Sequence, residues 1–464
     1  MAPSQSTPDR PLARERHLLE QVDSVYFLLF PGWESELRGN RWHFAVRWAI
    51  RKPVVLVIPT LTGGSARIEP EPRIPNCRIL RIQMVDEQAD QVVKDTQIQV
   101  GQVLEDMDRH HFERPLLWCY NWKLAGPFAQ VPAVARLVHA TEAHFDMPRL
   151  GPMLPRLRAA VTISDLTIAV SGGVAMGLRR RIEGAEILTV SNGCDYRSYS
   201  EGKPDAVLAA NRPTYSRVAI YAGNINGRLD FGLLRRLAAE HPDVLFALYG
   251  PISSLTKADV TAWNALLSLT NVIAPGPVDP DRLPDLYAAA DVGIIPYRQD
   301  PLLVDNGLPL KALEMSASGL PSVSSLMKPL LGIAAGIVVT SSADEFVAAF
   351  ARVSRATLSV DGLDELNRVS SANDYDNKFE QIVEALDRHV TEGRPATRVD
   401  RLINVLGPEW FAAEVRMSRW VTMPLPVRIV GWLVKVLERC IPAPLKRRLG
   451  SNRLREFVRE LRGD

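Results

Sequence analysis

The sequence predicts two doubly wound α/β domains in tandem. Short apolar runs rich in β-branched and aromatic residues, such as SVYFLLF (24–30) and VLFALYG (244–250), alternate with helical patterns along the chain. Runs that are apolar on both faces are typical of strands in a parallel sheet covered by helices. A polar, proline-bearing stretch at 194–216 separates two series of these runs. A length of 464 residues agrees with more than one domain.

These patterns give a set of expected boundaries. We expect a disordered lead at 1–20, a first α/β domain at 21–200, a linker at 201–216, a second α/β domain at 217–372, a helix that crosses back to the first domain at 373–390, and a basic amphipathic helical tail at 400–464. Within the first domain, Asn40 is expected to cap the helix that follows the first strand.

Composition excludes several classes of protein. The net charge of +2 provides no strong field for nucleic acid, so no nucleic-acid partner is expected. The four cysteines have no metal-ligand or CxxC spacing, which favours reduced thiols and a cytoplasmic location. The polar N-terminus lacks the apolar segment of a signal peptide, and no apolar run approaches the length of a membrane span.

The stretch DNGLPLKALEMSASGLPSVSS (305–325) carries the first candidate site. Lys311 and Glu314 lie three residues apart on an otherwise apolar helix, so they share one face. Pro309 suits the first position of that helix, whose free N–H groups favour an anion. Lys311 could hold a diphosphate, Glu314 a ribose diol, and Tyr297 could line the pocket. The alternative is a salt-bridged pair at a surface helix end.

Four stretches in this order resemble motifs of the GT-B glycosyltransferases, in particular the family-4 group (group 1) and related exopolysaccharide glycosyltransferases. They are TVSNGCD (189–195), RVAIYAGNINGRLDFGLL (217–234), DLYAAADVGIIPY (285–297) and PLKALEMSASGLPSVSS (309–325). The resemblance covers residues 20 to 390. It implies two Rossmann-like domains facing a cleft, the first binding the acceptor and the second binding a nucleotide-sugar donor.

The resemblance also implies roles for residues on the donor side. Glu314 matches a glutamate that holds the ribose hydroxyls, and Lys311 matches a lysine that contacts the diphosphate. Gly223 and Asn224 match a glycine turn that lets the donor phosphate approach the backbone. Arg228 matches an arginine near the phosphates.

Two positions depart from the family pattern. Asn306 stands where many members carry a glutamate that touches the donor sugar, so the sugar stays open. Residues 231–233 stand where many retaining members carry a lysine, so the stereochemical outcome, inverting or retaining, also stays open. Residues 276–278 lie where the family holds the nucleotide base, largely through backbone atoms.

The acceptor side is assigned to the stretch ARLVHATEAHFD (135–146), near the end of a predicted strand. An inverting transferase needs a base that deprotonates the acceptor hydroxyl. Glu142 matches the acidic residue of inverting relatives and is the candidate base, with His139 as a helper. His144 is a candidate contact to the donor sugar, because a histidine of retaining relatives binds the donor. The alternative is a capping cluster for the next helix.

The resemblance implies a transferase (EC 2.4, hexosyltransferase) that uses the nucleotide-diphosphate sugar as co-substrate. Because GT-B enzymes stabilise the leaving diphosphate with a helix dipole and cations, we expect no metal and no other cofactor. The predicted acceptor is a hydroxyl of a glycan or a lipid-linked sugar in polysaccharide or cell-envelope biosynthesis. The basic tail predicts peripheral contact with an anionic membrane surface at the inner face of the cell membrane; its alternative is that Trp432 packs against the protein. Two other functions stay open: a nucleotide-sugar epimerase of the same fold, and a non-catalytic scaffold.

Overall fold

The structure is a computed structural model, and its first domain is built on a mixed sheet. The described residues are 17–85, 89–146, 154–182, 184–210, 213–333 and 335–391. In that part of the chain the first sheet has eight strands in the order β3-β4-β2-β1-β5-β6-β7-β8. They are β1 (Ser24–Leu28), β2 (Val54–Leu61), β3 (Arg67–Pro70), β4 (Cys77–Gln83), β5 (Pro115–Cys119), β6 (Ala135–Ala140), β7 (Leu166–Ala169) and β8 (Ile187–Thr189).

Helices cover both faces of this sheet. They are α1 (His17–Gln21), α2 (Asn40–Ala49), α3 (Ala89–Arg109), α4 (Ala125–Gln130), α5 (Leu154–Ile163) and α6 (Gly172–Arg179). The sheet is parallel except at its edge, where β3 runs antiparallel to β4. The prediction missed β3 because this strand is short and exposed, so it lacks the apolar run that marks the other strands.

The second domain has a six-stranded parallel sheet within the described residues, in the order β11-β10-β9-β12-β13-β14. Its strands are β9 (Arg217–Ala222), β10 (Val244–Tyr249), β11 (Val272–Gly276), β12 (Val292–Ile295), β13 (Ser322–Ser325) and β14 (Ile337–Thr340). Two short helices, α7 (Tyr196–Ser200) and α8 (Ala206–Ala209), precede the first strand of this sheet. The other helices of the described chain follow β9, and they are α9 (Phe231–Glu240), α10 (Lys257–Leu267), α11 (Leu283–Ala289), α12 (Pro301–Asn306), α13 (Leu310–Ala317), α14 (Ala343–Arg352), α15 (Val360–Ala372) and α16 (Tyr375–Thr391).

The strand order of the second sheet places a binding crevice. Counted within that domain, the order is 3-2-1-4-5-6, the doubly wound arrangement of nucleotide-binding folds. The chain winds one way from β9 to β11 and the other way from β12 to β14, so a crevice opens between the carboxyl ends of β9 and β12. Gly223 follows β9 and Tyr297 follows β12 closely. Gly223 and Tyr297, two of the residues predicted for the donor site, therefore lie at this switch point.

The helix α16 returns to the first domain. Its apolar side chains, including Phe379, Ile382 and Leu386, belong to the same buried cluster as Trp48 of α2 and Leu18 of α1. The backbone N–H of Leu18 donates to Asp387 at 2.7 Å. One face of the first sheet is thus completed by the last described segment of the chain.

Three local expectations differ from the structure. The predicted lead at 1–20 overlaps α1, which begins at His17 and buries Leu18; residues 1–16 lie outside the described residues. The predicted linker at 201–216 contains α8, which buries Leu208. Gly39, not Asn40, precedes α2, because Asn40 already forms its first turn. The tail at 400–464 lies outside the described residues.

The predicted doubly wound α/β architecture is nevertheless confirmed in both domains. None of the helices in the described ranges is long and apolar enough to cross a membrane.

Candidate functional site

Three glycines form the carboxyl edge of the second sheet beside the switch point. Gly223, Gly250 and Gly276 follow or end β9, β10 and β11 and have φ angles of 144°, 142° and 92°. Residues other than glycine rarely adopt such φ angles, because their Cβ atom makes this backbone conformation strained. The N–H of Gly223 donates to the carbonyl of Tyr249 at 2.9 Å, and the N–H of Gly250 donates to the carbonyl of Gly276 at 2.8 Å. The edge therefore presents backbone without side chains, as a close phosphate contact requires.

Among the glycines of the described residues, Gly250 is the least open to replacement, and it was not among the predicted site residues. A Cβ at this position would collide with the backbone carbonyl of Gly223. We expect Gly250→Ala to lower the free energy of unfolding by about 1–3 kcal/mol or more, because the strained φ and the collision add. Urea unfolding measures the change. Gly172→Ala is the control, because a Cβ at Gly172 meets no atom within 4 Å; equal stability of the two variants would contradict the prediction.

Lys311 lies in the crevice and not at the surface. Only 8% of the residue is exposed. Its ammonium donates to the Tyr297 hydroxyl at 3.1 Å and lies 3.7 Å from the ring centroid of Tyr221. Burial raises the pKa of the Tyr297 phenol, but Lys311, Tyr221 and Arg228 together outweigh this effect, so the net shift is downward. The predicted alternative of a salt-bridged pair at a surface helix end does not describe this lysine, whose ammonium is engaged by two tyrosines.

The same ammonium crowds the glycine edge. A Cβ on Gly223 would run into Nζ of Lys311. The lysine therefore lies directly against the backbone that the sequence analysis assigned to the donor phosphates. Pro309 is the residue before α13, so Lys311 is the second residue of the helix, within its first turn. The charge of the ammonium and the free N–H groups of this turn add at one place.

Glu314 lies one turn further along α13 and is partly exposed. It faces Tyr199 of α7 and Tyr287 of α11, whose rings stack at 5.9 Å. Burial raises the pKa of the Glu314 carboxyl to about 7, although the Tyr199 hydroxyl and Lys311 each lower it. This environment of Glu314 could not be predicted, because both tyrosines are distant from it along the chain.

Arg228 and Glu142 meet across the cleft between the domains. Nη2 of Arg228 lies 3.7 Å from Oε1 of Glu142, and both side chains are exposed. Near Arg228 the hydroxyl of Tyr221 donates to the carbonyl of Asn224 at 2.8 Å, which fixes the turn after β9. A predicted donor residue and the predicted base are therefore neighbours, although 86 positions separate them in the sequence.

His144 lies beside Glu142 at the end of β6. Its backbone N–H donates to the carbonyl of Glu142 at 2.9 Å, and its ring packs edge-on against Trp122. Nδ1 of His144 is buried without a hydrogen-bond partner among the described residues. Burial lowers the pKa of the imidazole, and the Glu142 charge offsets part of this change. A neutral imidazole with an unpaired nitrogen can form a hydrogen bond to a ligand, and it is less suited to an ion pair.

His139 does not reach the cleft, so its prediction as a catalytic helper is corrected. The residue is 3% exposed and stacks on Tyr120 at 4.8 Å, with Trp118 and Phe44 as further ring neighbours. Burial lowers the pKa of its imidazole to about 3, so the ring stays neutral. All six residues of β6 are buried, and the strand therefore gives no alternation from which the direction of His139 could be predicted.

Asn306 lies where the two domains touch. Its Nδ2 donates to the carbonyl of Leu302 at 3.0 Å, and its own carbonyl accepts a hydrogen bond from Ser171 at 3.4 Å. Gly173 follows Ser171, and a Cβ on Gly173 would come within 2.5 Å of Oδ1 of Asn306. A second link runs from Asn40 through Asn192 to the carbonyl of Leu308, with hydrogen bonds of 3.1 and 2.8 Å. Both links reach the segment just before α13.

Comparison with known proteins agrees with this geometry. Residues 228–355, which include Arg228, Tyr297, Asn306, Lys311 and Glu314, match the family model described as Glycosyl transferases group 1. This part of the second domain is therefore similar to the group 1 glycosyltransferases. The predicted resemblance is thereby confirmed for residues 228–355.

One curated relative and several solved structures resemble the chain more widely. A protein described as a teichuronic acid biosynthesis glycosyltransferase, TuaH of Bacillus subtilis (strain 168), is 36% identical over 153 residues, which is 31% of this chain and 37% of the relative. The match thus spans well under half of that protein.

The solved structures share the fold over most of this chain. Sucrose-phosphate synthase from Thermosynechococcus elongatus matches with a TM-score of 0.61 and 16% identity, covering 78% of this chain and 98% of that one. WaaG, a glycosyltransferase involved in lipopolysaccharide biosynthesis, matches with a TM-score of 0.53 and 14% identity, covering 78% and 99%. At these identities the likeness concerns the fold, and the fold is GT-B.

Proposed function

We propose that the chain transfers a sugar from a nucleotide-diphosphate sugar to a hydroxyl of a glycan or lipid-linked acceptor in cell-envelope polysaccharide biosynthesis. The placement of Lys311 against the bare backbone at Gly223, at the switch point of a group 1 glycosyltransferase domain, carries this proposal. The relative from B. subtilis supports the envelope context, since its description places it in teichuronic acid biosynthesis.

On the donor side, the diphosphate would lie over Gly223 and Asn224, with Lys311 and Arg228 as its cations. Glu314 would accept hydrogen bonds from the ribose hydroxyls. Charge develops on the leaving diphosphate during transfer, and preorganised cations and N–H groups at that place stabilise it. We expect these groups to supply the stabilisation without a metal ion.

On the acceptor side, Glu142 would take the proton of the attacking hydroxyl. Its contact with Arg228 places it within reach of the donor phosphates across the cleft. His144 and Asn306 would contact the donor sugar from the two domains. The predicted tail at 400–464 would bring the enzyme to a membrane surface that holds a lipid-linked acceptor.

The proposal is tested by nucleotide binding. We expect one of UDP, GDP, ADP and dTDP, at a hundred times its dissociation constant, to stabilise the protein by about 2.7 kcal/mol in a thermal-shift measurement. Lys311→Met is expected to abolish the shift, because it removes the buried cation. Lys257→Met, at an exposed position at the start of α10, is the control and keeps the shift. An unchanged shift in Lys311→Met, or none in the wild type, would refute the proposed donor site.

A further inference from the structure

A cavity of about 700 Å³ opens between the domains beside Asn306. The first domain contributes Asp146 after β6 and one side of α6, and the second contributes the end of α12 and the turn at Lys328. Its described lining consists of Asp146, Gly172, Gly173, Met176, Gly177, Arg180, Arg181, Asp305, Asn306, Lys328 and Pro329. By the family resemblance Asn306 adjoins the donor sugar, so the cavity adjoins the sugar end of the donor.

The charged side chains that line this cavity are not all paired with an opposite charge. Among the described lining residues, Arg181 pairs with Asp146, and Lys328 pairs with Asp305 at 2.6 Å. Arg180 is exposed, and within the described ranges its guanidinium contacts only the Met176 sulfur, at 3.1 Å. One arginine therefore faces the cavity without a carboxylate partner.

The shape of the cavity leaves room beside that arginine. A Cβ on Gly172 would meet no atom within 4 Å, so this side of α6 is open to a ligand. One residue later, Asn306 occupies the space beside Gly173, so a ligand cannot enter there. Arg180 directly follows α6 and lies about 12 Å along the helix axis from the open Gly172, which leaves room for one sugar ring with a charged substituent.

We propose that this cavity binds the acceptor and selects one that carries a carboxylate or phosphate group, which Arg180 holds. This assignment rests on the proposed glycosyltransferase function and adds the chemical class of the acceptor. The guanidinium forms two parallel hydrogen bonds to such a group, and a neutral sugar offers no counterpart. The same charge could instead belong to the donor sugar as a uronic acid, and the test separates the two sources.

The experiment measures binding of free monosaccharides by ligand-detected NMR, with the protein saturated by the nucleotide found in the thermal-shift panel. Glucose 6-phosphate and glucuronic acid are compared with glucose. We expect the two anionic sugars to bind more tightly than glucose and Arg180→Gln to weaken their binding about fivefold, as loss of an exposed charge contact would. Arg180→Glu should weaken it further. Arg235→Gln, an exposed arginine on α9, is the matched control and should bind like the wild type.

The other outcomes overturn the proposal. Absence of binding by both anionic sugars, or equal binding in Arg180→Gln, would remove the anionic acceptor site. If instead UDP-glucuronic acid is preferred over UDP-glucose and Arg180→Gln removes that preference, the charge belongs to the donor. Nucleotide shifts recorded on the same samples keep the two proposals apart: a retained shift with these results leaves the donor site standing, whereas a lost shift in the wild type rejects the proposed function itself.

Discussion

Replacing Glu314 by glutamine is expected to weaken nucleotide binding about tenfold to a hundredfold, because hydrogen bonds to a charged acceptor are worth about 1.5–3 kcal/mol. The carboxylate form accepts two hydrogen bonds from a ribose diol. Since the pKa of Glu314 is raised to about 7, wild-type affinity should rise between pH 6 and 8. Glu314→Gln should show no such rise. Calorimetric titration at several pH values measures both effects.

The same substitution should stabilise the free protein at high pH. The carboxyl has a usual pKa of 4.5 and a folded value of about 7, so between these values the folded state binds more protons than the unfolded state. Stability is therefore lost as pH rises through this window. We expect Glu314→Gln to exceed the wild type by about 1–3 kcal/mol at pH 8 and by little at pH 5.

The control for both effects is Glu384→Gln, on an exposed position of α16. It should change neither nucleotide affinity nor the pH dependence of stability. A Glu314→Gln protein that binds nucleotide like the wild type would remove Glu314 from the ribose site, whatever its stability.

Replacing Glu142 by glutamine is expected to slow sugar transfer by about 10²- to 10⁴-fold, the usual contribution of a general base. Glutamine keeps the shape of the side chain and cannot accept the proton. Nucleotide binding should persist, because the substitution releases Arg228 from its ion pair instead of removing it. Transfer is measured as radiolabel passing from the nucleotide sugar to a membrane fraction of the source cells.

Glu113→Gln tests whether a change of charge in the first domain is itself harmful. Glu113 is exposed, and the Glu113→Gln variant should transfer sugar at the wild-type rate. Near-normal transfer in Glu142→Gln would show that the acceptor proton leaves by another route, as in a retaining reaction. Loss of nucleotide binding in this variant would assign Glu142 to the donor site.

Much of the architecture could be predicted because its strands coincide with apolar runs in the sequence. β10 and β12 are buried along their whole length, and β9 is buried except at its first residue, so each strand stands out against helical or polar neighbours. The pairing of Lys311 with the glycine at 223 was also predictable in outline, since a short helix after a strand has a known place in a doubly wound sheet. The group 1 motifs then supplied their roles.

The contacts between distant segments could not be predicted. The direction of His139 depends on which face of β6 it occupies, and a fully buried strand does not record that. The pKa of Glu314 is raised by burial and is lowered in part by the hydroxyls of Tyr199 and Tyr287, which come from α7 and α11, far from Glu314 in the sequence. Gly250 escaped notice because its requirement comes from the carbonyl of Gly223 on the neighbouring strand, a contact that only the folded sheet creates.

The return of α16 to the first domain has a consequence for synthesis. On the ribosome, residues 24–189 of the first sheet emerge long before residues 375–391, yet Phe379, Ile382 and Leu386 fill one face of that sheet's core. The nascent first domain therefore displays an unfilled apolar groove while the second domain is still being made. Such surfaces are where chaperones bind and aggregation begins. The order of translation thus leaves the core of the first domain open until the second domain has been made.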